Sequence, residues 1–132
     1  MKRFFLTSVL VLLVLCTAAA QQIVFGPQLP DEAAKLLEPR LVAMLKAGGV
    51  PDAPLSVDAV VTDRMETSGS IAQTALTIEL TLQSGEVRDS FVLTGVGADE
   101  ADAWNRAVKQ FLPRSQAARA FVEKLRPDNK HV

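Results

Sequence analysis

A chain of 132 residues with 14 basic and 15 acidic side chains, one Cys, one His, one Trp and no Tyr has room for one domain. Residues 1–20 hold Lys2, Arg3, the only Cys and 15 apolar residues; without them the net charge moves from −1 to −3 and the apolar share from 48% to about 44%. These figures exclude a polytopic membrane protein, a disulfide scaffold and a strongly basic nucleic-acid binder, and they leave a small, mildly acidic domain.

Met1-Lys2-Arg3 is a positive start, Phe4 to Cys16 is an apolar run of about 13 residues, and Ala18-Ala19-Ala20 supplies small residues before Gln21. This is the pattern of a cleaved secretory signal, and the run is short of the roughly 20 residues that a membrane-spanning helix needs. The expected mature chain starts at Gln21, is periplasmic or secreted, and has no Cys. Lipid anchoring through Cys16 is the alternative, but a lipidation site wants a small residue before the Cys, and Leu15 stands there.

In the mature chain, Ile23-Val24-Phe25 is expected as an edge strand or an apolar strap. Pro30-Asp31-Glu32 opens a helix, since Pro suits a first turn and acids suit the positive end of the dipole. Ala33, Leu36, Leu37, Leu41, Met44 and Leu45 follow at helical spacing as far as Gly48-Gly49, with Pro39 either kinking or dividing the helix. Leu55, Val57, Ala59 and Val61 alternate with polar partners as one strand, and the polar stretch Asp63 to Ser70 reads as a loop. Ala72 to Gln83 and Val87 to Thr94 alternate around Ser84-Gly85, which is a hairpin signal. Asp89 falls on the apolar phase of the second strand. Gly95-Val96-Gly97 is expected to break that strand, its glycines allowing positive φ in a sharp turn into a helix. Asp99, Glu100 and Asp102 open that helix, and Ala101, Trp104, Ala107, Val108, Phe111 and Leu112 form its apolar face. Pro113 stops or kinks it, Ser115 can cap a continuation, and Ala118, Phe121, Val122 and Leu125 form a last stripe.

The fold class expected from this order is α+β: a three- or four-stranded, mainly antiparallel sheet with helices on one face, in the order α-β-β-β-α-α. Residues 21–127 make one domain, and 128–132 form a disordered tail.

Little catalytic chemistry is on offer. His131 is the only base of its kind and stands in the tail, and the mature chain has no thiol, so neither a nucleophilic triad nor a His/Cys metal site can be assembled. The acids cluster at the two helix starts, where capping accounts for them. Gly95-Val96-Gly97 lacks the third Gly and the Lys-Ser/Thr of a phosphate loop. No catalytic residue, metal ligand or cofactor is assigned. The seven basic residues from Arg106 to Lys130 give the last third a basic outer face, for which a solvated surface is the ordinary meaning and contact with anionic polymer or lipid headgroups the alternative.

The run from Phe91 to Ala107, FVLTGVGADEADAWNRA, resembles the closing strand and helix of small bacterial envelope domains of the TolB amino-terminal and LpoB-activator type. That resemblance implies helices on one face of a small mixed sheet and a role in contacting other proteins. The expected function is therefore a non-enzymatic envelope protein acting as an interaction or accessory module with another envelope protein as partner. Its contact surface is the polar face of the hairpin: Thr77, Glu79, Thr81, Arg88 and Ser90. The alternative is a carrier of a small hydrophobic ligand or lipid held between helices and sheet, lined by Phe91, Trp104 and Phe111.

Overall fold

The computed structural model describes residues 22–126. The export segment with Cys16 and the 128–132 tail with His131 lie outside the described residues. The elements are β1 (Ile23–Phe25), α1 (Asp31–Ala47), β2 (Leu55–Thr67), β3 (Gln73–Ser84), β4 (Val87–Gly97), α2 (Glu100–Val108) and α3 (Gln116–Leu125). They form one mixed sheet in the order β1-β2-β3-β4. β1 runs parallel to β2, and the other pairs are antiparallel. Ile23–Phe25 is thus a strand and not a strap, and the chain order gains a leading β.

Sequence dictates most of this directly. Leu55, Val57 and Ala59 of β2, Leu76, Ile78, Leu80 and Leu82 of β3 and Leu93 of β4 all turn to one face and are buried. They meet Ala33, Leu37, Leu41, Met44 and Leu45 of α1, Trp104 and Val108 of α2, and Phe121 and Val122 of α3 in one core. Each large side chain hidden there stabilises the fold by roughly 1.5–3 kcal/mol.

α1 runs unbroken through Pro39. Pro39 and Lys35 are exposed, so the carbonyl that lost its donor lies on the wet side of the helix. The helix ends in a Schellman motif: Val50 N–H donates to Leu45 O at 2.9 Å and Gly49 N–H to Lys46 O at 3.1 Å, with Gly49 at φ 80°. α2 stops at Val108, well before Pro113, so Pro113 lies between two separate helices. Ser115 caps α3, accepting from Ala118 N–H at 3.2 Å.

Two expectations are corrected. Residues 63–67 are strand and not loop, because β2 continues past a bulge at Val61/Asp63 and pairs Asp63 to Thr67 with Thr77 to Gln73. The bulge shifts the phase, so alternation ends in the sequence where in space it only changes sides. Gly95-Val96-Gly97 does not break β4, and neither glycine has positive φ. They are glycines because α2 lies directly on the strand. A Cβ on Gly95 would stand 2.1 Å from Ala103 O and 2.6 Å from Ala107 N, and one on Gly97 2.6 Å from Ala103 N. Close approach, not a turn, is their reason.

Asp89 keeps its inward phase beside Leu82 near the hairpin turn, where Lys124 of α3 reaches down to it at 2.9 Å.

Candidate functional site

All three described helices cover one face of the sheet, and no described element covers the other. Alternation places Asp58, Val60 and Thr62 of β2, Thr77, Glu79 and Thr81 of β3, and Arg88, Ser90, Val92, Thr94 and Val96 of β4 on that open face. After the bulge the phase reverses, so Asp63 and Met65 join them, while Arg64 and Glu66 turn to the helix side. There Arg64 bonds Glu66 at 2.9 Å and Glu100 of α2 at 2.7 Å. These two acids raise the guanidinium pKa further above its ordinary value, Glu66 foremost.

The five hairpin residues expected at a contact surface share this face. Thr81 stands beside Ser90, their hydroxyls 3.2 Å apart, and Thr77 stands beside Thr94. Glu79 lies between Val60 on one side and Val92 on the other, and Arg88 is opposite Gln83. The face is less uniformly polar than the hairpin suggested. Val60, Met65, Val92 and Val96 are 48%, 60%, 70% and 50% exposed. Register brings Val60, Glu79 and Val92 into one row, and Met65, Ala75 and Val96 into another four residues along β3 and β4, with Thr77 and Thr94 between. Met65 escapes sequence reasoning because the polar stretch 63–70 looks like a loop, and Val96 because Gly95 looks like the end of the strand. The signal for Val96 was present: every second residue from Arg88 to Val96 continues one phase.

The face runs out to the free edge of β4. Gly85, at φ 61°, and Glu86 make a two-residue turn closed by the pair Ser84–Val87. In such a hairpin alternate residues direct their backbone groups outward, here Arg88, Ser90, Val92, Thr94 and Val96. No backbone–backbone hydrogen bond from another described segment reaches these groups.

Phe91, Trp104 and Phe111 lie on the opposite, covered side. Phe91 meets Phe111 edge-on with centroids 5.3 Å apart and Phe121 at 6.5 Å, and Trp104 is buried in the same core. A cleft of about 380 Å³ occurs elsewhere, between the end of α1 and α3, and none of the three aromatic residues lines it. Among the described residues, no group of three His, Cys, Asp or Glu converges, and no helix is long and apolar enough to cross a membrane. At the start of α2, Asp99 accepts from Asp102 N–H at 2.8 Å, and the Asp102 carboxylate accepts from Ala98 N–H at 3.0 Å. The Ala98 bond, then Arg106, holds the Asp102 carboxyl below its ordinary pKa. These acids serve the helix terminus.

No protein-family model matches the chain, and no curated protein matches it in sequence. Among solved structures, it is similar to a minor lipoprotein from Acinetobacter baumannii, with a TM-score of 0.42 and 10% identity over 78% of this chain and 88% of that one. It is also similar to a candidate lipoprotein from Caulobacter crescentus CB15, with a TM-score of 0.30 and 15% identity over 83% of this chain and 87% of that one.

Proposed function

We propose that this is an exported, non-enzymatic protein of the bacterial envelope that binds another envelope protein through β4 and the open face beside it. The observation that carries the reading is the run Ser90–Gly97, an uncharged edge strand whose outward Val92 and Val96 are largely exposed. Unpaired edges accept strands from partners: main-chain hydrogen bonds supply affinity, and side-chain contacts on the face supply specificity. An extended partner segment laid along β4 would become a fifth strand. Its side chains would meet Val92 and Val96, with the polar row Thr77–Thr94 between them. The amino-terminal pattern of residues 1–20 supplies the export half of the reading. No metal, cofactor or nucleic acid is required.

Affinity capture from envelope extract, comparing the native protein with a Val92→Lys/Val96→Lys variant, tests it. One specific partner retained by the native protein and lost in the variant is the expected result. Equal capture by both, or no capture by either, would overturn the proposal.

A further inference from the structure

The cleft between the C-terminal end of α1 and α3 has a mixed wall. Met44, Ala47, Pro113 and Val122 form an apolar part, and Arg114, Arg119 and Arg126 stand around it. Its floor is closed by intimate helix contact, since a Cβ on Gly48 would lie 2.0 Å from Val122 Cγ1. One carboxylate, Glu123, is also in the wall; both Glu123 and Arg126 have interactions of their own. Arg114 and Arg119 differ from most other arginines of the fold. Arg40 donates to Phe111 O, Arg64 is held by two glutamates, and Arg106 by Asp102. The Arg119 backbone N–H donates to Ser115 O at 3.0 Å, but the guanidinium groups of Arg114 and Arg119 have no hydrogen bond or ion pair with any described residue. Nor do they serve the carbonyls at the end of α1, because Gly48, Gly49 and Val50 N–H groups already occupy Met44, Lys46 and Leu45 O.

We infer that this cleft binds an amphiphilic oxyanion, a phosphate or carboxylate carried on an alkyl chain. Arg114 and Arg119 take the oxyanion, and Met44, Ala47, Pro113 and Val122 cover the first carbons of the chain. Guanidinium groups are suited to oxyanions through charge-assisted, often bidentate, hydrogen bonds. The cleft's volume lies at the small end of ligand sites, which suits a headgroup with a short stretch of chain and not a whole lipid. The site is on the helix side and stands independently of the proposed β4 contact.

Calorimetric titration of the exported protein with dodecyl phosphate, kept below its micelle concentration, tests the inference. The expected result is saturable one-to-one binding, with inorganic phosphate and dodecanol each about tenfold weaker or more, since each offers only half of the contacts. An Arg114→Gln/Arg119→Gln variant should lose about tenfold or more. Ala47→Glu, which puts an acid at an exposed position of the apolar wall, should do the same without touching the arginines. Val92→Lys should leave binding unchanged, which separates this site from the edge strand. Sedimentation with phosphatidylglycerol vesicles, and not with phosphatidylcholine vesicles, would assign the oxyanion to membrane headgroups. Binding of dodecyl phosphate without sedimentation would assign it to a free amphiphile. No binding of dodecyl phosphate, inorganic phosphate bound as tightly, or unchanged affinity in both cleft variants would overturn the inference.

Discussion

Beyond the three residues paired with β1, the exposed margin of β2 carries Asp58, Asp63, Arg64 and Glu66 and is bent by a bulge, whereas β4 carries no charge between Asp89 and Asp99 and keeps regular register from Val87 to Gly97. Charges and bulges are the ordinary means by which a sheet margin avoids pairing with another chain. One margin of this molecule has both, and the other has neither along eight residues. The small size of the sheet therefore does not by itself explain an open edge. The same sequence guards one margin and leaves the other smooth, uncharged and continuous with the exposed Val60–Val92 and Met65–Val96 rows.

This contrast depends on β4 keeping its regular register beneath α2, and the largest disturbance is to lift α2 off the strand. Gly95→Ala would drive a methyl into Ala103 O and the Ala107 backbone. It is expected to cost about 3 kcal/mol, read as a lower urea midpoint, while Val96→Ala on the exposed side changes stability by less than about 0.5 kcal/mol.

Next in size is the guard itself. Val92→Lys with Val96→Lys gives β4 the charges that β2 already has. Partner capture should fall about tenfold or more, equal to about 1.4 kcal/mol, with the urea midpoint nearly unchanged. A variant that lost capture only by unfolding would show it in that midpoint.

The pair Asp89–Lys124 marks the last charge before the smooth run and ties β4 to α3. Lys124→Ala should destabilise by about 0.5–1 kcal/mol, because Lys124 is half exposed and water screens the pair, and the loss should shrink in high salt.

The smallest effect expected is at Asp102, at the other end of the run. Its carboxyl pKa is lowered in the fold, so the stabilisation is present above the ordinary value of 3.8 and is lost as pH falls through the lower folded value. Asp102→Asn should therefore lower the thermal midpoint slightly at neutral pH, and the two proteins should converge in acid.

How much of this was legible in the sequence follows from where local pattern and tertiary packing agree. Leu76 to Leu82 alternate cleanly because one face is buried along their whole length, and α1 is periodic for the same reason, so fold class and hairpin could be read directly. Pro39 was readable as an interruption but not as a harmless one, since its harmlessness depends on facing water. The glycines at 95 and 97 carry a long-range reason, the nearness of Ala103 and Ala107, that no local rule for turns contains. The β2 bulge reverses a phase, which makes Asp63 to Thr67 look irregular from sequence while they are paired in space. Of the candidate surface, Thr77, Glu79, Thr81, Arg88 and Ser90 were legible by alternation, and the apolar rows were missed with the strand ends that carry them. The arginine cleft was legible only as an excess of basic residues, since its walls come from α1, the Pro113 turn and α3.

The most direct test places a photoreactive residue at position 92 on β4, and separately at position 66 on β2, in the full-length protein expressed in living cells. Partner binding along β4 predicts a discrete cross-linked species from position 92 and none from position 66. Cross-linking from position 66 but not from 92, or from neither, would contradict it.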